Sequence, residues 1–357
     1  MKVKYGIQLG ISYVAGISGG LLFHIIHLPL PWILGPLLAI LLCKTFFQFK
    51  GRSSTRLRDI CFSITGIQIG ATFTDTTIDH VLPYLLPYSL LTIVLIAISL
   101  FNAYLLTKWI PIDIPTSLLG SVPGGLSAII ALSESVKANT ALVTIFHTIR
   151  LMTVLFVIPF LATQLLAPGA NGQEQLMEEI FVPQGPLWTI VILFAIYGLA
   201  VLLQHKVPAA LVIIPMLIVA IFQIIDYPLY HLPNVFFLFA QLTIGIYLGF
   251  SVSIKDLKIA GKYCGYYFGL TIILLAVSFG LGYLFSLITP MNLVTAILSI
   301  APGGLIEMAL TAQSVSGDPS IVSSLQMIRM LTIVLLLPIG LKYLLPRLDK
   351  TKSSNNG

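Results

Sequence analysis

The stretch Ser121-Val122-Pro123-Gly124-Gly125-Leu126 returns as Ile300-Ala301-Pro302-Gly303-Gly304-Leu305, an offset of 179 residues. Each copy stands inside an apolar run. Proline removes a helix donor and clashes with the turn before it, and paired glycines add backbone freedom. A helix through either point is expected to break. The same offset pairs Pro29 and Pro36 with Pro208 and Pro215, and Gly66 and Gly70 with Gly245 and Gly249. It pairs Tyr84, Tyr88 and Tyr104 with Tyr263, Tyr267 and Tyr283, and Thr92-Ile93-x-Leu95-x-Ala97-x-Ser99 with Thr271-Ile272-x-Leu274-x-Ala276-x-Ser278. Pro111, Ser135, Arg150, Thr153 and Pro159 recur as Pro290, Ser314, Arg329, Thr332 and Pro338. Chance matching of Leu and Ile would not align Pro, Gly and Arg at one offset, so the chain reads as a duplication. The boundaries expected are a membrane repeat at 1–166, an acidic linker at 167–185, a second repeat at 186–346 and a polar tail at 347–357.

Charged residues make up 9% of the 357 positions, apolar residues 57%, and the mean hydropathy is +1.00. An average soluble domain carries roughly 25% charge. The 19 basic and 13 acidic side chains cannot coat a soluble protein of this length, so the solvent around most of the chain is lipid. Lipid leaves every backbone N–H and C=O to be paired inside its own segment, which favours helices. A β-barrel would show ~10-residue stretches of alternating polarity; this chain shows continuous apolar runs instead. The expected class is an all-α integral membrane protein of about ten to twelve helices. The net charge of +6 comes from short basic loops, not from a basic domain, so nucleic acid is not an expected partner. Cys43, Cys61 and Cys264 lie in or beside apolar segments without ligand spacing and read as small hydrophobes. The run at 6–28 resembles a secretory signal, but 186–204 repeats it deep in the chain, so it is read as a retained helix.

Loop charge bears on topology. Lys2, Lys4, the 44–58 loop (Lys44, Lys50, Arg52, Arg56, Arg58) and Lys108 mark cytoplasmic segments, with Asp75 and Asp79 outside. If each Pro-Gly-Gly segment crosses fully, the repeats are parallel; Lys255, Lys258 and Lys262 then fall outside. If each segment re-enters, each repeat has about five crossings and the second is inverted. In that case Lys206, those three lysines and the tail lie inside, and Glu174, Glu178 and Glu179 of the linker outside. Positive-inside bias favours the inverted arrangement, with both termini cytoplasmic.

Broken helices near the midplane, placed between inverted repeats, are the usual site of secondary transporters. Their unpaired amides and carbonyls act as partial charges in a low-dielectric region. The amides of Gly124, Gly125, Gly303 and Gly304 are candidates to hold an anionic group; the structural alternative is a tight bend or packing point. Arg150 and Arg329 each lie in an apolar run, where an arginine costs about 2.5–3.5 kcal/mol to insert. They are candidates to recognise a carboxylate, or else to neutralise the carbonyl end of the adjacent broken helix. Glu307, whose counterpart is Ala128, is a candidate for ion coupling, with pairing to Arg329 or Arg150 as the alternative. Ser127, Thr311 and Gln313 are polar lining. Gln326 stands opposite His147, so any role of His147 is expected to be one-sided.

Pro-Gly-Gly-Leu at 123–126 and Pro-Gly-Gly-Leu-Ile-Glu-Met-Ala-Leu at 302–310 resemble the AbrB-duplication family of bacterial membrane proteins, over essentially the whole chain. The resemblance implies a bacterial inner-membrane protein loosely related to transporter folds. Labels in that family range from ammonia monooxygenase to regulator of gene expression, and its substrate is not settled. The function expected is secondary transport of a small anionic metabolite, with no cofactor, metal or catalytic residue. A membrane regulator acting indirectly on gene expression is the second reading, since no stretch is long enough for a soluble output domain. A metallo-oxygenase is the third; it needs clustered ligands, and the six histidines are dispersed. The partners expected are the solute, membrane lipid and, by the habit of such folds, further copies of the chain.

Overall fold

The computed structural model describes residues 2–46, 49, 51–124, 126–136, 138–166, 185–253, 258 and 260–354. Among them the regular structure is helical, and six helices are long and apolar enough to cross a membrane. The proposed linker, apart from Gly185, and Lys255 lie outside the described residues.

One group of helices forms a panel. It holds α1 (Lys2–Ile25), α2 (Pro31–Phe46) and α3 (Thr55–Gly70), with α8 (Ile190–Leu203), α9 (Ala210–Ile224) and α10 (Asn234–Ser251). Their packing is exchanged across the chain: α2 lies against α10, and α3 against α9. Glycine makes that approach close. A Cβ on Gly245 of α10 would stand 2.4 Å from the Ile33 carbonyl oxygen of α2, and one on Gly66 of α3 would stand 2.4 Å from that of Val212 in α9. These are equivalent contacts at the offset of 179 read from the sequence. The turns ahead of α2 and α9 match as well. Leu30 (φ 47°) and Ala209 (φ 50°) adopt the left-handed region although neither is glycine. In each case the strained carbonyl accepts from the first helical turn, from Ile33 N at 3.0 Å and Val212 N at 2.9 Å.

Gly245→Ala is expected to lower stability by about 1–3 kcal/mol, the usual cost of overpacking a tight contact. Gly265→Ala, with nothing within 4 Å of its added Cβ, should leave stability unchanged or slightly higher. Thermal unfolding of both variants in detergent tests this; equal melting temperatures would show that α10 does not need the close approach.

The second group holds α4 (Asp75–Trp109), α5 (Ile114–Ser121), α6 (Leu126–Ser135) and α7 (Thr140–Leu161), with α11 (Tyr263–Ile288), α12 (Leu293–Ile300), α13 (Leu305–Ser314) and α14 (Pro319–Ser354). Here too the partners cross: α4 packs on α14, and α11 on α7. The two groups meet chiefly where α3 touches α13 and α14. Leu155 of α7, with Ile306 and Leu310 of α13, joins a buried cluster built on Ile33, Leu37 and Ile244 of the panel. Large apolar side chains cover the outer surface, among them Leu86 on α4, Val191 and Phe194 on α8 and Leu287 on α11. Burying such a surface in lipid is what the composition requires.

Candidate functional site at two broken helices

Both Pro-Gly-Gly segments break their helices. The residue before proline is pushed out of the helical region by the pyrrolidine ring. Val122 accordingly ends α5 at φ −64°, ψ 129°, and Ala301 ends α12 at φ −52°, ψ 135°. The chain turns at once, with Gly124 N donating to Val122 O at 2.8 Å and Gly303 N to Ala301 O at 2.8 Å. The glycines are not needed for backbone freedom, because neither Gly124, Gly303 nor Gly304 has a left-handed φ. What they leave is space for flexible side chains: a Cβ on Gly303 would stand 2.5 Å from Met308 Cε, and one on Gly304 2.0 Å from Glu307 Oε2, so either would make that side chain shift.

Each broken segment is a hairpin whose two ends lie together. Asn139, the cap of α7, donates its backbone N–H to Thr116 Oγ1 in the first turn of α5 at 2.7 Å. Asp318, just before α14, makes the same bond to Thr295 Oγ1 at 3.0 Å. The chain therefore goes out along α5, turns, and returns along α6 to the level where it began. Asx side chains cap the rims: Asp113 accepts from Thr116 N at 2.9 Å, Asn139 from Leu142 N at 3.1 Å and Asn292 from Val294 N at 3.1 Å. Asp318 Oδ1 accepts from Ser320 N at 2.9 Å and Ile321 N at 3.1 Å. The capping residues fall at the common offset, Asp113 with Asn292 and Asn139 with Asp318, but nothing in the sequence marked them as clasps.

Arg150 and Arg329 reach the hairpin tips from the middle of the next helix. Arg150 donates to Val122 O, and at 3.4 Å to Gly124 O. Arg329, 4% exposed, donates to Ile300 O at 3.3 Å, to Ala301 O, to Gly303 O at 2.6 Å and to Gln326 Oε1. The last carbonyls of α5 and α12 lack intrahelical partners and carry partial negative charge. The guanidinium groups answer both needs. Of the two sequence readings for the arginines, the carbonyl-neutralising one is what these contacts describe. One turn earlier, His147 Nε2 donates to Leu119 O at 3.0 Å and Gln326 Nε2 to Leu298 O at 2.9 Å. His147 was expected to act on one side alone; instead Gln326 does the same work at the equivalent place, because both side chains present an N–H donor at that reach.

Each tip packs against a helix of the other half. Val122 packs in one buried cluster with Ile333 and Leu337 of α14, while Ala301 and Met308 pack with Val154 and Ile158 of α7. Tyr88 of α4 supports the second hairpin by donating to Ser299 O at 3.1 Å, and Tyr267 of α11 supports the first through Ser117 Oγ at 2.8 Å. That tyrosine pair was readable as a repeated position, but nothing in sequence assigned it to the hairpins.

Glu307 sits in the first turn of α13, its carboxylate folded over Gly304, where the positive end of the helix dipole favours an acid. Among the described residues no lysine, arginine or histidine lies within ion-pair distance of it. The pairing with Arg329 or Arg150 weighed from sequence is absent because carbonyls take up those guanidinium groups. Thr311, named as lining, instead donates its hydroxyl to Glu307 O at 2.7 Å. Gly125 and the side chain of Ser127 lie outside the described residues.

Apolar helices of membrane-crossing length around two broken hairpins define a polytopic all-α membrane protein. Residues 8–345 match the family model described as "Transition state regulatory protein AbrB", and the chain belongs to that family. It is similar to "Uncharacterized protein YhjN" of Bacillus subtilis (strain 168), 25% identical over 347 residues, covering 90% of this chain and 89% of that protein. It is also similar to "Putative regulator AbrB" of Escherichia coli (strain K12), 25% identical over 335 residues, covering 92% of this chain and 94% of that one. No solved structure matches it.

Proposed function

We propose that the chain is a secondary transporter of a small anionic metabolite, working by alternating access between the panel and the hairpin group, and not an enzyme. The observation that carries this reading is the pair of broken hairpins, each with its tip packed on the arginine-bearing helix of the other half. Helices broken at membrane depth are tolerated only where protein or a watery cavity surrounds them, and they concentrate partial charge there. With the carbonyl ends held by Arg150 and Arg329, the helix ends left for a ligand are the amide ends, at α6 and α13. Glu307 occupies the second of these. In the first Ala128 replaces it, and since the Gly124 amide already donates to Val122 O, it is the first-turn amides of α6 that take the anion.

The hairpin clasps also support an inverted arrangement. If each hairpin re-enters, α1, α2, α3, α4 and α7 cross, and the second half begins on the opposite side. The basic loops and both termini are then cytoplasmic in a bacterial inner membrane, in line with positive-inside bias. The limited contact between the two groups suits relative motion of one against the other.

The names borne by the family model and the Escherichia coli relative favour a second reading, a membrane regulator acting through a partner protein. Thermal stability of detergent-purified protein against a panel of organic and inorganic anions separates the two, because a ligand that binds only the folded state raises the melting temperature. The expected result is stabilisation by one anion class and uptake of that anion into proteoliposomes. A flat panel together with no uptake would overturn the transporter reading in favour of the regulator.

A further inference from the structure

A cavity of about 360 Å³ lies in the panel, away from the hairpins, where the C-terminal ends of α3 and α9 come together under the 226–232 loop. Gln68, Ala71, Gln223, Asp226 and His231 line it. Gln223 Nε2 donates to Ala71 O at 3.4 Å. Asp226 closes α9 in the left-handed region (φ 53°), with its N–H on Gln223 O at 3.1 Å and Tyr227 N on Phe222 O at 2.9 Å.

The other half of the chain shows what this place accepts. At the offset of 179, Gln223 corresponds to Lys44, and Ala71 to Phe250. Lys44 stands in the last turn of α2 and donates Nζ to Phe250 O at 3.0 Å, Gly249 O at 3.3 Å and Val252 O. Its ammonium neutralises the carbonyl ends of α2 and α10 together. At α9 and α3 the same two negative helix ends meet. An amide replaces the ammonium, a carboxylate is added, and no lysine or arginine lines the cavity. A carboxylate at a helix C-terminus is unfavourable without a compensating positive charge.

We propose that this cavity binds a small monovalent cation, an ammonium or alkali ion, at the pair of helix ends equivalent to the pair that Lys44 serves. Ala71 O already accepts from Gln223 Nε2, so the ion is held beside it by the oxygens of Gln223, Asp226 and Gln68 that line the cavity. Backbone carbonyl, amide and carboxylate oxygens are the hard ligands such ions prefer. The site does not depend on the transport reading, since it lies on helices that carry neither hairpin.

The test is the melting temperature of detergent-purified protein in sodium, potassium or ammonium chloride, each at constant ionic strength against N-methylglucamine chloride, a cation too bulky to be held by clustered oxygens. A saturable rise of a few degrees is expected with at least one small cation. The ion that gives it distinguishes ammonium from alkali binding. Gln223→Lys should raise the melting temperature in N-methylglucamine and remove the response to small cations, because the side chain then brings its own ammonium. Asp226→Asn should shift the response to higher cation concentration, and it keeps the proposal testable if Gln223→Lys does not fold. Identical melting in all four chlorides, or a response unchanged in either variant, would overturn the proposal.

Discussion

Arg329→Ala is expected to cost about 3–5 kcal/mol of stability, the loss typical when one partner of a buried charge-assisted network is removed. Arg329 is nearly fully buried, and its donors serve three backbone carbonyls and Gln326. Without it the end of α12 keeps its broken geometry, since Pro302 still forbids the helical bond, but its carbonyls face an apolar surround unpaired. Arg150→Ala should cost less, because Arg150 is only partly buried and reaches two carbonyls. Lysine at either position restores charge but not the planar fork, so partial recovery is expected. Thermal unfolding in detergent reads all four variants. Wild-type melting in Arg329→Ala would mean that the carbonyls find other partners and that the arginine is free to meet a ligand.

If the chain is the proposed anion transporter, Glu307→Gln is expected to abolish ion-gradient-driven accumulation of the anion in proteoliposomes while leaving anion exchange at equilibrium intact. The charge at this position is free of ion pairs among the described residues and lies at the tip of the second hairpin, so its loss costs the fold only the favourable placement of an acid at the start of α13. The reciprocal change, Ala128→Glu, places a carboxylate at the first hairpin, at the position equivalent to that of Glu307. It should compete with the anion there and suppress both exchange and accumulation. Gradient-driven uptake that survives in Glu307→Gln would remove Glu307 from coupling. Normal anion binding in Ala128→Glu would move the anion away from the first hairpin.

The break points and the buried arginines were legible in the chain because they conflict with their surroundings. Proline, paired glycines and arginine are each costly in an apolar helix, and each recurs at one offset. The lipid environment was legible for a related reason, since too few charges exist to face water. Other features were not. The spacing of Pro123 and Gly124 says that a helix ends but not whether the chain carries on or turns back. Only the bonds from Asn139 to Thr116 and from Asp318 to Thr295 make hairpins of the two segments. Sequence also ascribed to the glycines a gain of backbone freedom; at Gly124, Gly303 and Gly304 φ is not in the left-handed region, and at the last two the neighbouring side chains of Met308 and Glu307 fill the space a Cβ would take.

What the amino-acid sequence determined by itself was the class of solvent, the number and character of the apolar segments, and the places where helices fail. All of these follow from local chemistry, the transfer cost of side chains and the geometry of proline. What the tertiary structure alone decided was pairing: α2 with α10, α3 with α9, each arginine with the carbonyls of the preceding hairpin, and Glu307 with no cation among the described residues. A backbone carbonyl is the same group at every residue, so a side chain that binds one leaves no trace of its partner in the sequence. The partner becomes known only when the fold brings the two together.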